Sequence, residues 1–241
     1  MKALMISEWR KVRTTRTVWL LGLATIAVAL VTAIATRAGE FPTDRPLYNP
    51  LVRNMPVFVG LFILVLGLRA VTDEFRYGTI MSSVLVTPSR NRIVAAKAIV
   101  SGLAGMAFAV IAEAVVISLA VAFAAAEGSV TVEGTLLAQL LAGAAAAGFL
   151  IAALGVGVGA VVKHQLGAVV GGLAWFLIAE NLLAGILKDA GRWLPAQSSH
   201  GLTQVARENL LPPEMAALAF AIYAMAAVVT GALVMRRRDI A

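Results

Sequence analysis

Six long apolar stretches constrain this chain more than any other feature of its sequence. They are residues 18–36, 54–72, 98–126, 134–162, 166–187 and 215–235. A helix of about 20 apolar residues crosses a hydrocarbon core of about 30 Å. The sequence therefore predicts an all-α integral membrane protein, a six-transmembrane-helix bundle that forms one domain over residues 1–241. The second stretch carries Arg69 near its end, and we expect that side chain to reach the membrane interface.

Composition excludes most other classes of protein. Hydrophobic residues make up 60% of the chain and charged residues 14%, against about 45–50% and about 25% in soluble domains. These values exclude a soluble enzyme, a disordered chain and a nucleic-acid-binding domain, in spite of the net charge of +7. The absence of cysteine excludes a disulfide scaffold, thiolate metal sites and cysteine nucleophiles.

The basic residues predict the orientation. Six spans place both termini on the same side, and fourteen of the 20 basic residues fall on that side. By the positive-inside rule, the N- and C-termini are expected in the cytoplasm, with loops 37–53 and 188–214 outside.

Residues 2–17 predict an amphipathic helix that lies in the membrane interface. Met5, Trp9 and Val12 recur at helical spacing, while Arg10 and Arg13 lie on other faces. The alternative is that these basic charges only hold the N-terminus inside.

The connection 73–97 predicts a short cytoplasmic helix. Asp73 is placed to cap a helix that starts at Glu74, the Thr87–Pro88 pair interrupts the chain, and Ser89 is placed to cap the next helix. The alternative is a solvated loop with ordinary inside charges. In the helical interpretation, three residues face a cytoplasmic partner: Glu74, Arg76 and Tyr77.

Two acids lie inside predicted spans, Glu113 in the third and Glu180, followed by Asn181, in the fifth. A charge at bilayer depth is costly, so such a residue is a candidate for substrate contact or a proton-linked switch. The alternative is a protonated or hydrogen-bonded structural acid. The two histidines, His164 and His200, are isolated and predict surface polar residues rather than metal ligands.

Small residues predict close packing between the fourth and fifth spans. They recur at four-residue spacing as Gly155 and Gly159, and again as Gly167 and Gly171.

No G-x-x-x-x-G-K-[ST] motif occurs, which argues against a phosphate cradle for ATP in this chain. No catalytic residue and no metal site is predicted.

Three short motifs resemble segments of the bacterial ABC-2 type transporter permeases. An E-x-x-K-x-R-T run starts at Glu8, and an E-x-x-x-G-T segment starts at Glu74. An L-x-T-P-x-R segment starts at Leu85 and is followed by Lys97. The order of these motifs and the six-span layout strengthen the resemblance.

The resemblance implies the membrane subunit of an ATP-driven exporter in the bacterial cytoplasmic membrane. Such a permease pairs with a second copy of itself or a paralogous permease, and each binds a separate ABC ATP-binding subunit. ATP and magnesium would be bound by that partner, so this chain would not itself be an enzyme and would hold no cofactor.

The resemblance also assigns roles to residues. Segment 2–17 would be an elbow helix containing Glu8, Trp9, Lys11 and Arg13. A coupling helix would contact the ATPase through Glu74, Arg76, Tyr77, Gly78, Thr79, Thr87 and Arg90. Loop 188–214 would form short re-entrant outer helices. The substrate path would run between the two permeases along the second and fifth spans, where the candidate residues are Phe58, Phe62, Phe176, Glu180 and Asn181.

Two other functions stay open from the residues alone. One is a proton- or ion-coupled secondary transporter that uses Glu113 and Glu180. The other is a non-transport membrane sensor or assembly subunit. The sequence does not indicate the substrate.

Overall fold

The structure, a computed structural model, describes residues 1–38, 50–81, 89–126, 128, 133–205 and 209–237. Every regular element within these ranges is a helix. The elements are α1 (Lys2–Thr14), α2 (Arg16–Ala38), α3 (Pro50–Arg76), α4 (Arg90–Ala126), α5 (Gly134–Val162), α6 (Gln165–Ala174), a π-helical turn (Trp175–Ala179), α7 (Glu180–Leu187), a 3-10 helix (Lys188–Trp193), α8 (Pro195–Leu202) and α9 (Pro213–Arg237).

Five helical segments of the described chain are long and apolar enough to cross a membrane. They lie at 16–35 in α2, in α4, in α5, along the continuous segment 165–193 and in α9. The all-helical membrane class and five of the predicted spans are thereby supported. The predicted second span falls inside α3, a helix of 27 residues and about 40 Å. Its passage through the membrane stays a prediction.

Helix α5 lies at the centre of the bundle, packed against α3, α4 and α9. Small residues bring these helices close. An ideal Cβ on Gly105 of α4 would lie 2.5 Å from the carbonyl oxygen of Gly148 in α5, and one on Gly148 would lie 2.5 Å from that of Gly105. Two backbones in direct contact leave no room for a side chain at either position.

The predicted glycine packing between the fourth and fifth spans is wrong. A Cβ on Gly155 would lie 2.8 Å from the carbonyl oxygen of Leu64, and one on Gly159 would lie 2.7 Å from that of Leu68. Both glycines therefore face α3. A Cβ on Gly171, in contrast, would have no neighbouring atom within 4 Å. Four-residue spacing of glycines therefore does not identify the neighbouring helix.

The predicted helix start at Asp73 and Glu74 is also wrong. Helix α3 runs through both residues, Asp73 pairs with Arg69 one turn earlier at 3.1 Å, and the N–H of Tyr77 donates to the Asp73 carbonyl at 2.9 Å. Gly78, with a φ of +68°, follows the end of the helix, which is the usual role of glycine there. Ile80 and Met81 are helical again, and residues 82–88, including Thr87, lie outside the described part of the chain.

The helix that leads into the third predicted span begins just after Ser89, as expected. Ser89 directly precedes α4, and its carbonyl accepts the N–H of Arg92 at 3.0 Å. Toward the other end of the bundle, the 3-10 helix and α8 are two short helices within the range 188–214, and α8 packs against α9 and α5. Their position outside the cell stays a prediction.

Candidate functional site

Four charged side chains form an ion-pair cluster where α1, α3 and α4 meet, three of them buried and the fourth, Lys11, 44% exposed. Lys11 Nζ lies 2.6 Å from Glu8 Oε1 and 2.6 Å from Glu74 Oε1. Lys97 Nζ lies 2.9 Å from Glu8 Oε2 and 2.7 Å from Glu74 Oε1. The two acids and two lysines balance in charge, and each lysine bridges both acids. We call these four residues the elbow cluster.

Local sequence explains how the elbow cluster assembles. Glu8 and Lys11 are three positions apart on α1 and so share one helix face. Glu74 lies in the last turn of α3, and Lys97 lies two turns into α4. The cluster therefore joins the N-terminal helix to the ends of two predicted spans.

Burial of three of these side chains makes their ion pairs important for stability. The side chain of Lys97 is 2% exposed and those of Glu8 and Glu74 are 8% exposed. The Oε2 atom of Glu74 is buried and has no hydrogen-bond partner within the described ranges. A buried charge that loses its partner is strongly destabilising, so each member depends on the others.

The pKa values of the two α1 residues move in the directions that favour their charges. Burial acts to raise the pKa of Glu8, but the ammonium groups of Lys97 and Lys11 outweigh it and hold that pKa below 4.5. Burial acts to lower the pKa of Lys11, but its hydrogen bonds to Glu74 and Glu8 outweigh it and raise that pKa above 10.5. Both residues are therefore charged at neutral pH.

Of the elbow residues, only Glu8 is buried, and its ion pairs hold α1 to the bundle. Trp9, Lys11 and Arg13 are exposed. The expected apolar stripe is only partly correct, because the residue of α1 that is buried is Glu8. The indole of Trp19, at the start of α2, donates to the Arg13 carbonyl at 2.8 Å. That bond fixes the bend between α1 and α2.

The predicted coupling residues divide into a buried and an exposed group. Glu74 is 6% exposed, so it does not face a partner as predicted, because its carboxylate is held by two lysines. The turn that follows is exposed. It comprises Arg76, Tyr77, Gly78 and Thr79, and we call it the docking turn.

The docking turn is tied to the fifth span. Arg76 Nη1 donates to Gln165 Oε1 at 2.6 Å, and Gln165 Nε2 donates to Asp73 Oδ1 at 2.7 Å. The guanidinium of Arg76 also lies 5.5 Å from the centre of the Tyr77 ring. Gln165 is the third residue after the fourth span, and nothing in the linear sequence pairs it with Arg76.

Arg90, another predicted coupling residue, has a structural contact. Its Nη1 atom donates to the Met235 carbonyl at 2.6 Å, near the end of α9. A guanidinium at a helix C-terminus satisfies a terminal carbonyl and opposes the negative end of the helix dipole. Arg90 therefore joins the start of α4 to the end of α9.

Glu180 has no exposed surface and binds the start of α8. Its Oε1 atom accepts the backbone N–H of Ala196, and that of Gln197 at 3.1 Å. These are N–H groups of the first turn of α8 that have no partner within that helix. A side chain from the fifth span thus caps a helix 16 residues further along the chain.

Asn181 supports the same junction. Its Nδ2 atom donates to the Leu177 carbonyl at 2.9 Å, inside the π-helical turn, and its Oδ1 accepts from Gln197 Nε2 at 3.3 Å. Insertion of a π turn leaves carbonyls that need new donors, and Asn181 supplies one.

The five candidate substrate-path residues do not form one surface in a single chain. Phe176 lines an apolar cavity of about 510 Å³ between α3, α5, α6 and α9, together with Trp175 and Tyr223. Phe58 is exposed and Phe62 is half-buried, and neither lines this cavity. Glu180 and Asn181 are occupied at the junction with α8. Their role in a substrate path stays a prediction.

Glu113 and His200 line one small cavity, a pairing that the sequence does not indicate. Glu113 is 2% exposed and His200, on α8, is 5% exposed. The expectation that His200 is a surface residue is wrong, because α8 folds back against the bundle and buries that side chain. His164 does lie between two spans, where its Nδ1 accepts the Gly167 N–H at 3.1 Å and caps α6.

Five apolar helical segments and a charged cluster at one end of the bundle define a multi-pass membrane protein. A family model described as ABC-2 family transporter protein matches residues 4–179, and the chain belongs to that family. The chain is therefore a membrane permease of the ABC transporter class, a class that works in general with an ABC ATP-binding subunit. No curated protein matches the sequence.

Proposed function

We propose that this chain is the permease subunit of an ATP-driven exporter in the bacterial cytoplasmic membrane, working as a pair of permeases with separate ATP-binding subunits. The observation that carries the proposal is the elbow cluster directly behind the docking turn. Arg76 is two residues from Glu74, and Glu74 is bound to Lys11 and Lys97. A displacement applied to the docking turn therefore moves α1, α3 and α4 together.

The docking turn suits a protein partner. Arg76 and Tyr77 are exposed, and arginine and tyrosine are enriched among residues that carry binding energy at interfaces. Through Gln165, Arg76 also reaches the start of the fifth span. A partner bound at this turn would thus be linked, through α3 and Gln165, to the two spans that the family resemblance places beside the substrate path.

A second permease would cover the fifth span. Within the described chain, only 6% of the most apolar residues of segment 165–193 are buried, against 61% of those of α5. The large apolar side chains of this segment that are exposed are Leu166, Val170, Trp175, Leu177, Ile178, Leu182, Ile186, Leu187 and Trp193. A facing copy of the same segment would complete the substrate path along this surface.

ATP would drive transport because the complex binds ATP more tightly in one of the two arrangements of the permease pair than in the other. A ligand shifts an equilibrium only by as much as it binds one state better than the other. The ATP-binding subunit supplies that difference, and the docking turn transmits it to the spans. The direction of transport in this proposal is outward.

Co-purification with an ABC ATP-binding subunit from the same host tests the proposal. Arg76→Glu places a negative charge at the docking turn, and Arg92→Glu, exposed near the start of α4, is the matched control. We expect Arg76→Glu to lose the ATP-binding subunit while it keeps normal expression and melting temperature, and Arg92→Glu to retain it. Equal retention by both variants would contradict the assignment of the docking turn.

Proton-coupled transport is the second candidate, favoured by the burial of Glu113 in a span. Reconstituted vesicles separate the two. Transport that requires ATP and its binding subunit supports the exporter, and transport by the chain alone under a pH gradient supports the secondary transporter.

A further inference from the structure

An apolar cavity of about 510 Å³ lies between α3, α5, α6 and α9. Its wall extends along α6 and the π-helical turn from Gly167 to Phe176, about 13 Å, so it follows a predicted span as a lipid acyl chain does. Trp175 and Tyr223 belong to this wall and are exposed, so the cavity opens to the surface of the bundle. Its volume lies within the range of about 300–1,000 Å³ that is usual for small-molecule sites.

Glycine in α6 leaves part of this space open. Gly167, Gly171 and Gly172 line the cavity, and an ideal Cβ on Gly171 would have no neighbouring atom within 4 Å. A larger side chain at Gly171 would therefore stand at the cavity wall without a clash. That position offers a way to occupy the cavity by mutation.

A groove of about 720 Å³ adjoins the cavity at the end of the bundle that holds the elbow cluster. The last turn of α3 and the turn between α5 and α6 form its wall, and we call it the basic groove. Val162 lines both the groove and the cavity, and Leu166 of the groove directly precedes Gly167 of the cavity. The charged group and the apolar chain of one molecule therefore have room in two neighbouring spaces.

The charges at the basic groove are positive. Arg76 and Lys163 line it, and none of the described residues in its wall is acidic. Asp73, the acid nearest to it along α3, already pairs with Arg69 at 3.1 Å and accepts the Gln165 amide at 2.7 Å. Within the described ranges, no carboxylate lies within ion-pair distance of Arg76 or Lys163. The groove therefore suits an anion.

Lys163 stands at the level expected for lipid headgroups, because it directly follows the apolar helix that ends at Val162. Its φ of +62° is a conformation that favours glycine, which is common at the ends of helices. Its ammonium lies 5.7 Å from the centre of the Phe75 ring, which also lines the groove. A lysine thus occupies a position where glycine would fit the backbone better.

We propose that the basic groove and the apolar cavity together bind one anionic phospholipid of the cytoplasmic leaflet. Its phosphate lies against Lys163, beside Arg76, and an acyl chain enters the cavity. Basic pockets between spans on the cytoplasmic side are typical sites for anionic lipid headgroups. Free phosphate would satisfy the charges alone, but an adjoining apolar cavity is filled favourably only by a ligand that carries a hydrocarbon chain.

The proposed lipid site lies within a single chain, so this inference does not depend on an ATP-binding subunit. Arg76 keeps its place in the docking turn, and the variants that test the lipid site leave it unchanged. Loss of lipid binding and loss of the ATP-binding subunit are therefore separate results.

Quenching of tryptophan fluorescence by brominated acyl chains tests the site. A variant that keeps only Trp175, in the cavity wall, is placed in vesicles of equal parts phosphatidylglycerol and phosphatidylcholine. The bromine is carried by the first lipid in one sample and by the second in the other, so the vesicle charge is the same. We expect a preference of about fivefold for phosphatidylglycerol, the effect of one basic residue near an anionic lipid. A variant that keeps only Trp193, which does not line the cavity, should show no preference.

Two pairs of variants identify the parts of the site. Lys163→Gly and Lys188→Gly each remove one charge at a lysine with positive φ, +62° and +49°, so neither strains the backbone. We expect the preference to vanish in Lys163→Gly and to persist in Lys188→Gly. Gly171→Leu places a side chain at the cavity wall and should also abolish the preference. Gly185→Leu, at a glycine outside the cavity whose Cβ would also meet no atom, should keep it.

Melting of the chain with all its tryptophans gives a second measurement if the single-tryptophan variants do not fold. A ligand that binds the folded state raises the melting temperature. In detergent, phosphatidylglycerol should raise it more than phosphatidylcholine does, and Lys163→Gly should cancel that difference. Equal effects of the two lipids, a preference that survives in Lys163→Gly, or an equal rise with inorganic phosphate alone would overturn the proposal.

Discussion

Lys97 Nζ lies 2.9 Å from Glu8 Oε2, although the two residues are 89 positions apart in the sequence. The same nitrogen lies 2.7 Å from Glu74 Oε1. This contact fixes the N-terminal helix to the ends of α3 and α4, and it places three motifs of the family resemblance in one cluster. Glu74, which the family motif assigns to the contact with the ATPase, thus has a structural role behind the docking turn.

Removal of Lys97 should destabilise the protein more than removal of any exposed lysine. Lys97→Met leaves two buried carboxylates with Lys11 alone, and breaking a buried ion pair typically costs about 3–5 kcal/mol. We expect a marked fall in melting temperature in detergent, and little change for Lys2→Met, an exposed lysine on α1. The triple variant Glu8→Gln, Glu74→Gln, Lys97→Met should recover part of the loss, since it removes the unpaired charges. Equal melting of the Lys97 and Lys2 variants would contradict the importance of the cluster.

The elbow cluster should confer stability over a defined pH window. The pKa of Glu8 is lowered in the folded protein, so its contribution is present above about pH 4.5 and is lost as the pH falls toward the folded value. The pKa of Lys11 is raised, so its contribution is present below about pH 10.5 and is lost as the pH rises through the folded value. Melting curves from pH 3 to 11 should show the acid loss in the wild type and a weaker one in Glu8→Gln. An identical acid profile in the two proteins would argue against this assignment.

Glu180 should tolerate glutamine better than leucine. The amide oxygen of Glu180→Gln still accepts the N–H groups of Ala196 and Gln197, whereas Glu180→Leu leaves both buried donors without a partner. Each unsatisfied donor costs about 1–3 kcal/mol. We expect the melting temperature to fall clearly only for Glu180→Leu. If the glutamine variant melts normally and loses transport, the charge of Glu180 serves the substrate; full transport by the leucine variant would remove it from the candidate path.

Two glycines in helices should respond oppositely to alanine. A Cβ on Gly105 would lie 2.5 Å from the Gly148 carbonyl oxygen, whereas a Cβ on Gly185 would have no neighbouring atom within 4 Å. Overpacking costs about 1–3 kcal/mol, so Gly105→Ala should lower the melting temperature. Gly185→Ala should leave it unchanged or raise it, because alanine favours helix by up to about 1 kcal/mol. A neutral Gly105→Ala would contradict the close contact of α4 and α5.

Single cysteines test the predicted orientation. We expect a cysteine at Lys188 to react with an impermeant maleimide in intact cells, and one at Arg92 to react only after permeabilisation. Both residues are exposed, so accessibility within the chain does not separate them. Labelling of Arg92→Cys in intact cells would reverse the orientation.

The sequence by itself determined the class of this protein. An apolar run as long as 134–162 predicts a membrane-spanning helix, because helices of soluble proteins rarely stay apolar on every face over that length. A local signal was also reliable at Ser89, which directly precedes α4. The motifs that start at Glu8 and Glu74 led to the family, since their order along the chain is itself a sequence property.

Only the tertiary structure decided which polar residues meet. Glu74 looked exposed because a loop motif contains it, but Lys97, 23 positions further on, buries it. Glu113 and His200 share a cavity only because α8 folds back against α5 and α9, and Gly155 and Gly159 face α3 rather than the neighbouring span. Helix periodicity defines the faces of a helix, but the partner of each face depends on packing among helices that are distant in sequence. For that reason the spans were predictable, and the elbow cluster, the Glu180 cap and the cavity at Glu113 were not.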